Sequence, residues 1–577
     1  MNALLRASDQ LLVFAARSHM RAVLVLLVAA ILSFVPGLFI MQPMDRDEPR
    51  FAQATKQMLE SGDFVNIRFR DEARNKKPVG IYWLQAAAVS IGEKLGVDDA
   101  RRRVWLYRLP SLAGAIAATL LSYWAALIML GRREAVAAAL LFGATILMGV
   151  EARLAKTDGV MCATAVVAFG ILARLWTSRR TTSIQTWETF LFWAAIGVSV
   201  LLKGPVIAGV FALAAATLAI RERSAAWLKP IVDWRAIIMA ILIVSPWFIL
   251  IATKTGGDFF IDAIRNDMLG KVAGGQEMHG APPGVYTLIS PAIFWPASAL
   301  FLLALPWFWR SRREDLVVLC LAWIIPAWIM FEAIPTKLPH YVLPLLPAIA
   351  ILSTRALAEG QLAPERWNAK IAIALLPLMP LLFAAAAIAA VFILESGGAT
   401  RFLPMASAAP LFALAIILAM LAAFAVNRGA RLAVAPIAAA ATIALSWSVY
   451  QFAWPALRSI QLSPRLATAA SAAGCASPKY ATIGGYDEPS LVFLTDGSLK
   501  MTNGAGGADF MAGEGCRIAF VDVREEPAFL AGLRDKGVAP LLLTRVEGVN
   551  INRAMERDRK TLRVMDMGVY MRDTTRP

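Results

Sequence analysis

Long apolar stretches recur along most of this 577-residue chain. Many are near 20 residues long, the length that an α-helix needs to cross the roughly 30 Å hydrocarbon core of a bilayer. Hydrophobic residues make up 58% of the sequence, and charged residues only 17%. A soluble enzyme, a disordered protein and a small disulfide-stabilised domain are therefore excluded. The sequence predicts an all-α polytopic membrane protein.

Thirteen apolar segments are predicted to span the membrane. They are residues 22–41, 109–130, 135–150, 159–176, 188–202, 204–220, 236–252, 287–309, 316–331, 341–354, 371–394, 405–426 and 432–454. The two segments that flank Lys203-Gly204-Pro205 are short. If they formed one span, every later segment would cross in the opposite direction.

Basic residues in the connecting loops predict the orientation. With the amino terminus in the cytoplasm, every inside loop carries arginine or lysine, as the positive-inside rule requires. These residues are Arg132, Arg133, Arg179, Arg180, Arg221, Arg223, Lys229, Arg235, Arg310, Arg312, Arg313, Arg355, Arg366, Lys370, Arg428 and Arg431. An odd number of spans then puts the carboxyl terminus outside. We expect a transmembrane domain at 1–458 and, in a Gram-negative bacterium, a small periplasmic α/β domain at 459–577. Within that domain, residues 491–494 are predicted as a strand and Gly504-Ala505-Gly506-Gly507 as a turn.

The first outer loop, residues 42–108, departs from the charge rule because it holds thirteen lysines and arginines. Long loops translocate largely regardless of charge. For the run Arg101-Arg102-Arg103, attraction to anionic headgroups and a phosphate site both remain open.

Two short helices are predicted in this loop, both lying on the membrane surface. The first has Pro49 in its first turn and Gly62 at its end. The acids Asp47 and Glu48 at its start either stabilise the helix terminus or carry chemistry. The second covers residues 79–92, too short to span, with Lys77 at its entrance.

Three more outer elements bring charge to the same surface: residues 151–158, Lys203-Gly204-Pro205 and residues 332–341. The spans themselves are nearly free of charge. A transporter would place ionisable residues within its spans, near the membrane midplane. The distribution therefore favours surface chemistry on a lipid-borne anion.

Five motifs in this order resemble those of the bacterial membrane glycosyltransferases of the GT-C class. They are Asp-Glu-Pro-Arg-Phe-Ala at 47–52, Lys-Pro-x-x-x-Tyr-Trp at 77–83, Thr-Asp at 157–158, Lys-Gly-Pro at 203–205, and Thr-Lys-Leu-Pro-x-Tyr at 336–341. The nearest likeness is to the lipid A aminoarabinose transferases and their relatives in the protein mannosyltransferase superfamily.

This resemblance implies a GT-C fold and an inverting enzyme of the inner membrane. Such an enzyme moves a sugar from a polyprenyl phosphate, undecaprenyl phosphate in a bacterium, to lipid A or a related envelope glycolipid on the periplasmic side. No nucleotide site is then needed, which agrees with the lack of a Walker loop in the sequence.

The resemblance and the charge pattern together give the expected site residues. Asp47 and Asp158 are the candidate catalytic acids; Lys77, Lys203, Lys337, Arg153 and Arg265 are candidates for the donor phosphate; Glu48, Tyr82, Tyr341 and His340 are candidates for the substrate pocket. Two roles stay open. Asp47 acts as a base or only positions groups, depending on the acceptor, and Asp158 is either catalytic or a salt-bridge partner of Arg153 or Lys156.

Further expectations concern a metal, a loop and a disulfide. Glu277 and His279 are a candidate divalent metal pair, against the plainer reading of a solvated loop, so no cofactor is certain. The loop 253–287 is either a mobile cover over the donor site or a passive connector. Cys475 and Cys516 share the outer domain and are predicted to form a disulfide.

Three rival functions remain at this stage. The first is a protein O-mannosyltransferase, which would accept peptides instead of glycolipids. The second, from another class, is a lipid-linked sugar transporter or flippase. The third is a noncatalytic envelope scaffold.

Overall fold

The computed structural model describes residues 2–43, 46–181, 184–270, 280–360, 367–396, 398–475, 477–497, 499–550 and 564–573. Helices dominate these residues. In chain order the first eleven are α1 (Asn2–Ala16), α2 (His19–Phe34), α3 (Asp47–Ser61), α4 (Gly80–Lys94), α5 (Val104–Ala126), α6 (Arg132–Gly143), α7 (Ile146–Ala152), α8 (Asp158–Thr177), α9 (Thr186–Lys203), α10 (Val206–Glu222) and α11 (Trp234–Thr255). Later membrane-domain helices are Asp258–Phe260, Val285–Ile293, Ala297–Arg310, Asp315–Ala333, Leu346–Glu359, Trp367–Leu394, Ala409–Asn427, Val434–Ser446 and Trp454–Ala456.

Several of these helices are long enough to cross a membrane. Within the described residues, nine pass on length and hydropathy, and up to eleven do if each of two bent helix pairs is one span. The polytopic all-α fold class is confirmed. The total of thirteen spans remains a prediction, because α2 has 16 residues and α10 has 17.

Helix α8 lies at the centre of the bundle, and 89% of the residues in its most apolar 18-residue stretch are buried. Its first turn touches α5 backbone to backbone. A Cβ atom at Gly159 would stand 2.6 Å from the Ser111 carbonyl oxygen, and one at Gly114 would stand 2.6 Å from Val160. Small residues permit this approach, as is common between membrane helices. The close crossing fixes the start of α8, where Asp158 lies.

The first outer loop forms the two predicted helices, α3 and α4, joined through the hairpin of β1 (Arg68–Phe69) and β2 (Glu72–Ala73). Gly62 ends α3 with a left-handed φ of 71°, which a residue with a Cβ rarely adopts. At the start of α4, a Cβ on Gly80 would meet the Leu201 carbonyl oxygen at 2.7 Å. The amino end of α4 is therefore held against the carboxyl end of α9.

The carboxyl-terminal domain contains a five-stranded sheet in the order β4-β3-β5-β7-β6. Its strands are β3 (Lys479–Ile483), β4 (Lys500–Thr502), β5 (Cys516–Asp522), β6 (Leu541–Val549) and β7 (Val564–Asp573), and its helices are Leu462–Ser471, Pro489–Leu494, Gly504–Ala512 and Glu526–Asp535. Strands β4, β3 and β5 are parallel, while β7 runs antiparallel to β5 and β6. A disulfide joins Cys475 to Cys516, the pair expected from the sequence.

Two sequence predictions in this domain are wrong. The apolar run 491–494 was expected as a strand but lies in the helix Pro489–Leu494, since a run this short does not distinguish the two structures. Its Phe493 packs edge-on against Tyr107, with 5.5 Å between ring centroids. The glycine-rich stretch expected as a turn is the helix Gly504–Ala512, where the Asn503 side chain accepts a hydrogen bond from the Gly506 amide.

The carboxyl-terminal domain rests on α3. Asp496 accepts hydrogen bonds from Lys56 on α3 and from Arg102 ahead of α5. Glu488 lies 3.7 Å from Arg46, the residue that precedes α3. The domain therefore contacts the residue before α3 and the second half of that helix, which begins with Asp47.

Candidate active site

A buried ion pair marks one end of the bundle, where α8 begins and α9 ends. The Asp158 carboxylate accepts a hydrogen bond from the Lys203 ammonium at 2.5 Å. The Asp158 side chain is 3% exposed and that of Lys203 is 10% exposed. We call this end of the bundle the site end. Ion pairs in a poorly hydrated site interact more strongly than in water.

His340 joins this pair from the short helical segment Pro339–Leu345. Its Nε2 atom lies 3.9 Å from the Asp158 carboxylate, and its Nδ1 atom lies 3.7 Å from the carboxylate of Glu151 on α7. Tyr341 places its ring 5.2 Å from the Lys203 ammonium, a cation–π contact. Two carboxylates, an ammonium and an imidazole therefore meet in one buried cluster.

A second group of side chains surrounds Asp47, the first residue of α3. Its carboxylate lies 3.8 Å from the Arg50 guanidinium, and its side chain is 39% exposed. Tyr82 on α4 is buried, accepts a hydrogen bond from Arg74 at 3.3 Å, and packs against Phe51. Burial raises the pKa of Tyr82, although the Arg74 charge acts in the other direction. Asp47 is thus an accessible acid beside aromatic and cationic groups.

Backbone contacts connect the two groups. Glu48, next to Asp47, accepts a hydrogen bond from the Ala155 amide at 3.0 Å, three residues before Asp158. The contact of Gly80 with Leu201 brings the entrance of α4 near Lys203. Lys77, three residues before Gly80, is half-buried at this junction. The structure therefore brings Asp47, Lys77, Asp158 and Lys203 to the same end of the bundle.

Lys337 also lies at the site end, but the structure gives it another task. Its ammonium donates to the carbonyl oxygens of Phe331, Glu332 and Ile334 at 3.0, 2.5 and 2.5 Å. These carbonyls lie at the carboxyl end of the helix Asp315–Ala333, where they lack partners in the helix. Lys337 thus caps this helix, and its expected role at the donor phosphate stays a prediction.

Arg153 and Glu48 are likewise structural. The Arg153 guanidinium donates to the carbonyls of Ser33, Pro36 and Gly149. Its Cζ atom also lies 4.1 Å from the centroid of the Tyr450 ring. Arg153 therefore fixes the end of α2 against α7, and its expected phosphate role stays a prediction. Glu48 is completely buried and bound by the Arg108 guanidinium, and its expected place in the substrate pocket stays a prediction.

The remaining expected residues lie in the segment after α11. Arg265 is exposed on the π-helical segment Ile261–Leu269. Its neighbour Asp262 accepts a hydrogen bond from Asn75 at 3.0 Å, which ties this segment to the first outer loop. Glu277 and His279, the expected metal pair, lie outside the described residues.

Another group could hold a metal. Within the described part of the chain, Glu151, Asp158 and His340 each offer one ligand atom, and these atoms lie within 4.8 Å of one another. Carboxylate oxygen and imidazole nitrogen suit several divalent cations. However, Lys203 already neutralises Asp158, so a cation would compete with its ammonium.

Sequence reasoning missed Glu151 and Arg108 as individual residues of importance. Both are charged groups at the edge of predicted apolar spans. That position is the sequence feature that could have marked them as buried partners of other charged groups. Lys156 was weighed only as a salt-bridge partner, yet it is 7% exposed and its charge acts on Asp158.

Comparisons with known proteins agree with this architecture. The family described as dolichyl-phosphate-mannose-protein mannosyltransferase matches residues 76–250. An undecaprenyl phosphate-alpha-4-amino-4-deoxy-L-arabinose arabinosyl transferase of Pseudomonas aeruginosa is 26% identical over 354 residues, which are 56% of this chain and 58% of that protein. A protein of the same name from Erwinia tasmaniensis is 28% identical over 313 residues, 53% of this chain and 54% of that protein. The chain thus matches less than two thirds of the length of these relatives.

A solved structure extends the likeness to nearly the whole chain. The crystal structure of ArnT from Cupriavidus metallidurans bound to undecaprenyl phosphate superposes with a TM-score of 0.69 and 18% identity, covering 94% of this chain and 96% of that one. Its apo form gives the same TM-score over 96% and 98%. The GT-C fold and the resemblance expected from the motifs are confirmed.

Proposed function

We propose that this protein, which has the GT-C fold, is an inverting glycosyltransferase of the inner membrane. Its donor is a sugar linked to undecaprenyl phosphate or a similar polyprenyl phosphate, and its acceptor is lipid A or a related envelope glycolipid. The observation that carries the proposal is the buried cluster of Asp158, Lys203 and His340 at the same end of the bundle as Asp47. The names of the relatives and the ligand of the Cupriavidus structure support this choice of donor.

Lys203 and Lys77 are proposed to bind the donor phosphate. Glycosyl transfer passes through an oxocarbenium-like state while negative charge accumulates on the leaving phosphate. A preorganised cation in a water-poor site stabilises that charge without reorganisation. Asp158 keeps the Lys203 ammonium in place before the donor arrives, which makes Asp158 a positioning residue in this scheme.

Asp47 is proposed to act on the acceptor, because its carboxylate is more accessible than that of Asp158. A hydroxyl acceptor needs a base in the transition state, and a carboxylate beside the bound acceptor would take its proton. An ionised lipid phosphate is already nucleophilic. In that case, Asp47 would orient the groups around the acceptor.

We also propose that the site end faces the periplasm. Arg179 and Arg180 follow the end of α8 at the opposite end of the bundle, as the positive-inside rule requires for the cytoplasm. Residues 1–458 would form the membrane domain and residues 459–577 the periplasmic domain. The disulfide between Cys475 and Cys516 supports this orientation, since disulfides persist in oxidising compartments.

The test is product formation by the purified full-length protein in detergent. Synthetic polyprenyl phosphate aminoarabinose and lipid A are supplied, and mass spectrometry detects lipid A with one added sugar. The wild type should form product, whereas Lys203→Gln should form it about 100-fold more slowly. Repeating the reaction with a chelator measures any metal requirement. No product with any polyprenyl-linked sugar would exclude the proposal.

A protein O-mannosyltransferase is the second candidate, because the family match at residues 76–250 carries that description. Peptide acceptors offered with polyprenyl phosphate mannose separate the two. Product in detergent, where no sealed compartment exists, would count against a transporter or flippase.

A further inference from the structure

A basic cleft lies at the end of the bundle opposite the site end. It has a volume of about 850 Å³ and lies between α1, the connection from α5 to α6, and the segment before the helix Val434–Ser446. Helix α6 and the bent helix α7 separate it from Glu151, and the 12 residues of α6 alone extend about 18 Å. The cleft is therefore distinct from the proposed sugar-transfer site.

Arginine predominates among the charged residues of the cleft. Four arginines line it with two acids; they are Arg6, Arg132, Arg133, Arg431, Asp9 and Glu134. Both acids already have partners. Asp9 pairs with Arg133, and Glu134 accepts a hydrogen bond from the Gly131 amide at 3.3 Å and lies 3.9 Å from Arg355.

Two cations remain without an acid. Within the described residues, Arg6 and Arg431 form no ion pair, and both are exposed. Arg132 uses one of its nitrogens to bind the Ala16 carbonyl at 2.8 Å. The cleft thus has excess positive charge next to donors that are free to bind an anion.

Leu5 of α1 lines the cleft, and exposed apolar residues follow farther along the same helix, outside the cleft. Leu11, Val13 and Phe14 are 39%, 39% and 41% exposed, while Leu12 and Ala15 are buried. A hydrogen bond of 2.6 Å from Ser8 to the Ala433 carbonyl fixes α1 against the far wall of the cleft. Because α1 leads into the membrane helix α2, exposed apolar residues here suit a lipid interface.

We propose that this cleft binds the headgroup of an anionic phospholipid. Arg6 and Arg431 bind the phosphate, and the acyl chains contact Leu5 and the exposed apolar residues farther along α1. Basic pockets between membrane helices at the cytoplasmic surface are suited to acidic headgroups. A soluble phosphate would use the cations but would gain nothing from the apolar residues of α1.

The alternative is that these arginines only help to orient the protein in the membrane and bind no particular lipid. Arg221 and Arg313 provide a matched control, since both are exposed at the same end of the bundle and neither lines the cleft. Removing them deletes the same amount of charge from the same surface. Specific binding in the cleft requires the two pairs to behave differently.

The experiment titrates the purified full-length protein in detergent with phosphatidylglycerol, with phosphatidylethanolamine of the same chains, and with inorganic phosphate. Native mass spectrometry counts bound lipid, and thermal unfolding reports stabilisation. Phosphatidylglycerol should bind the wild type about tenfold or more above phosphatidylethanolamine. The double variant Arg6→Ala/Arg431→Ala should lose this preference, whereas Arg6→Lys/Arg431→Lys and Arg221→Ala/Arg313→Ala should keep it.

Several results would overturn the proposal. They are equal binding of the two lipids, an equal loss in the cleft variant and the control variant, or full stabilisation by inorganic phosphate alone. The last result would assign the cleft to a soluble anion. Size-exclusion elution at the wild-type volume verifies that each variant is folded.

Discussion

Glu48 and Arg108 form an ion pair in which neither side chain has any exposed surface. Two guanidinium nitrogens donate to the carboxylate at 2.7 and 2.9 Å. Arg108 also donates to the carbonyls of Leu38, Met41 and Gln42 on the segment that leads into α3. One arginine on α5 therefore fixes the entry to the helix that begins with Asp47.

Removal of this arginine should strongly destabilise the protein. Arg108→Ala removes the guanidinium that pairs with the buried Glu48 carboxylate, and breaking a buried pair in this way costs about 3–5 kcal/mol. Thermal unfolding of the purified protein measures the loss. Arg101→Ala is the control because its pair with Glu93 is exposed, and its effect should stay below about 1 kcal/mol. Similar effects of the two substitutions would contradict the structural role of the buried pair.

Loss of the Lys203 charge should reduce catalysis more than folding. Lys203→Gln removes the proposed phosphate contact and should lower kcat/KM by about 100-fold, the scale of one oriented charge-stabilising group. Lys203→Arg should recover part of the activity. Lys254→Gln, which breaks an exposed pair with Asp63, should leave the rate unchanged. Wild-type kinetics in Lys203→Gln would show that Lys203 does not bind the donor phosphate.

Substitution of Lys337 should reduce folding stability more than catalysis. Lys337→Met leaves three carbonyl oxygens without their donor and should lower stability by about 1–3 kcal/mol. The donor KM of the folded variant should match that of the wild type, since this ammonium already binds the end of a helix. A large rise in donor KM with unchanged stability would show that Lys337 binds the donor phosphate.

Docking of the carboxyl-terminal domain should depend on acid pH through Asp496. Burial raises the pKa of Asp496, but hydrogen bonds from Arg102 and Lys56 outweigh it and hold the pKa below its ordinary value of 3.8. The carboxylate therefore stabilises the folded state fully above that value, and this contribution is lost as the pH falls through the folded-state pKa.

The measurement compares the wild type with Asp496→Asn by thermal unfolding at several pH values. The wild type should be the more stable protein near neutral pH, and the difference should shrink below about pH 4. Asp509→Asn serves as the control because that acid pairs with Lys536 on the surface of the same domain. A difference that stays constant with pH would show that the Asp496 charge does not stabilise docking.

The sequence by itself determined the fold class and the end of the bundle at which charge collects. Spans of about 20 apolar residues leave few alternatives to membrane helices, because lipid offers no hydrogen-bond partner to the backbone. The order of five short motifs indicated the GT-C resemblance, and their position between spans placed Asp47, Lys77, Asp158 and Lys203 at one surface. These inferences need only hydrophobic length and chain order.

Only the tertiary structure decided what each charged group contacts. Lys203 and Lys337 look alike in sequence, each a lysine at the end of an apolar span, yet one meets Asp158 and the other caps a helix. Glu48 and Asp47 are neighbours, yet one is sealed against Arg108 and the other is accessible. Partners such as Glu151 and His340 are nearly 190 residues apart, so their contact follows from the packing of α7 against the segment Pro339–Leu345. Local sequence patterns cannot predict that packing, because they do not show which distant segments come into contact.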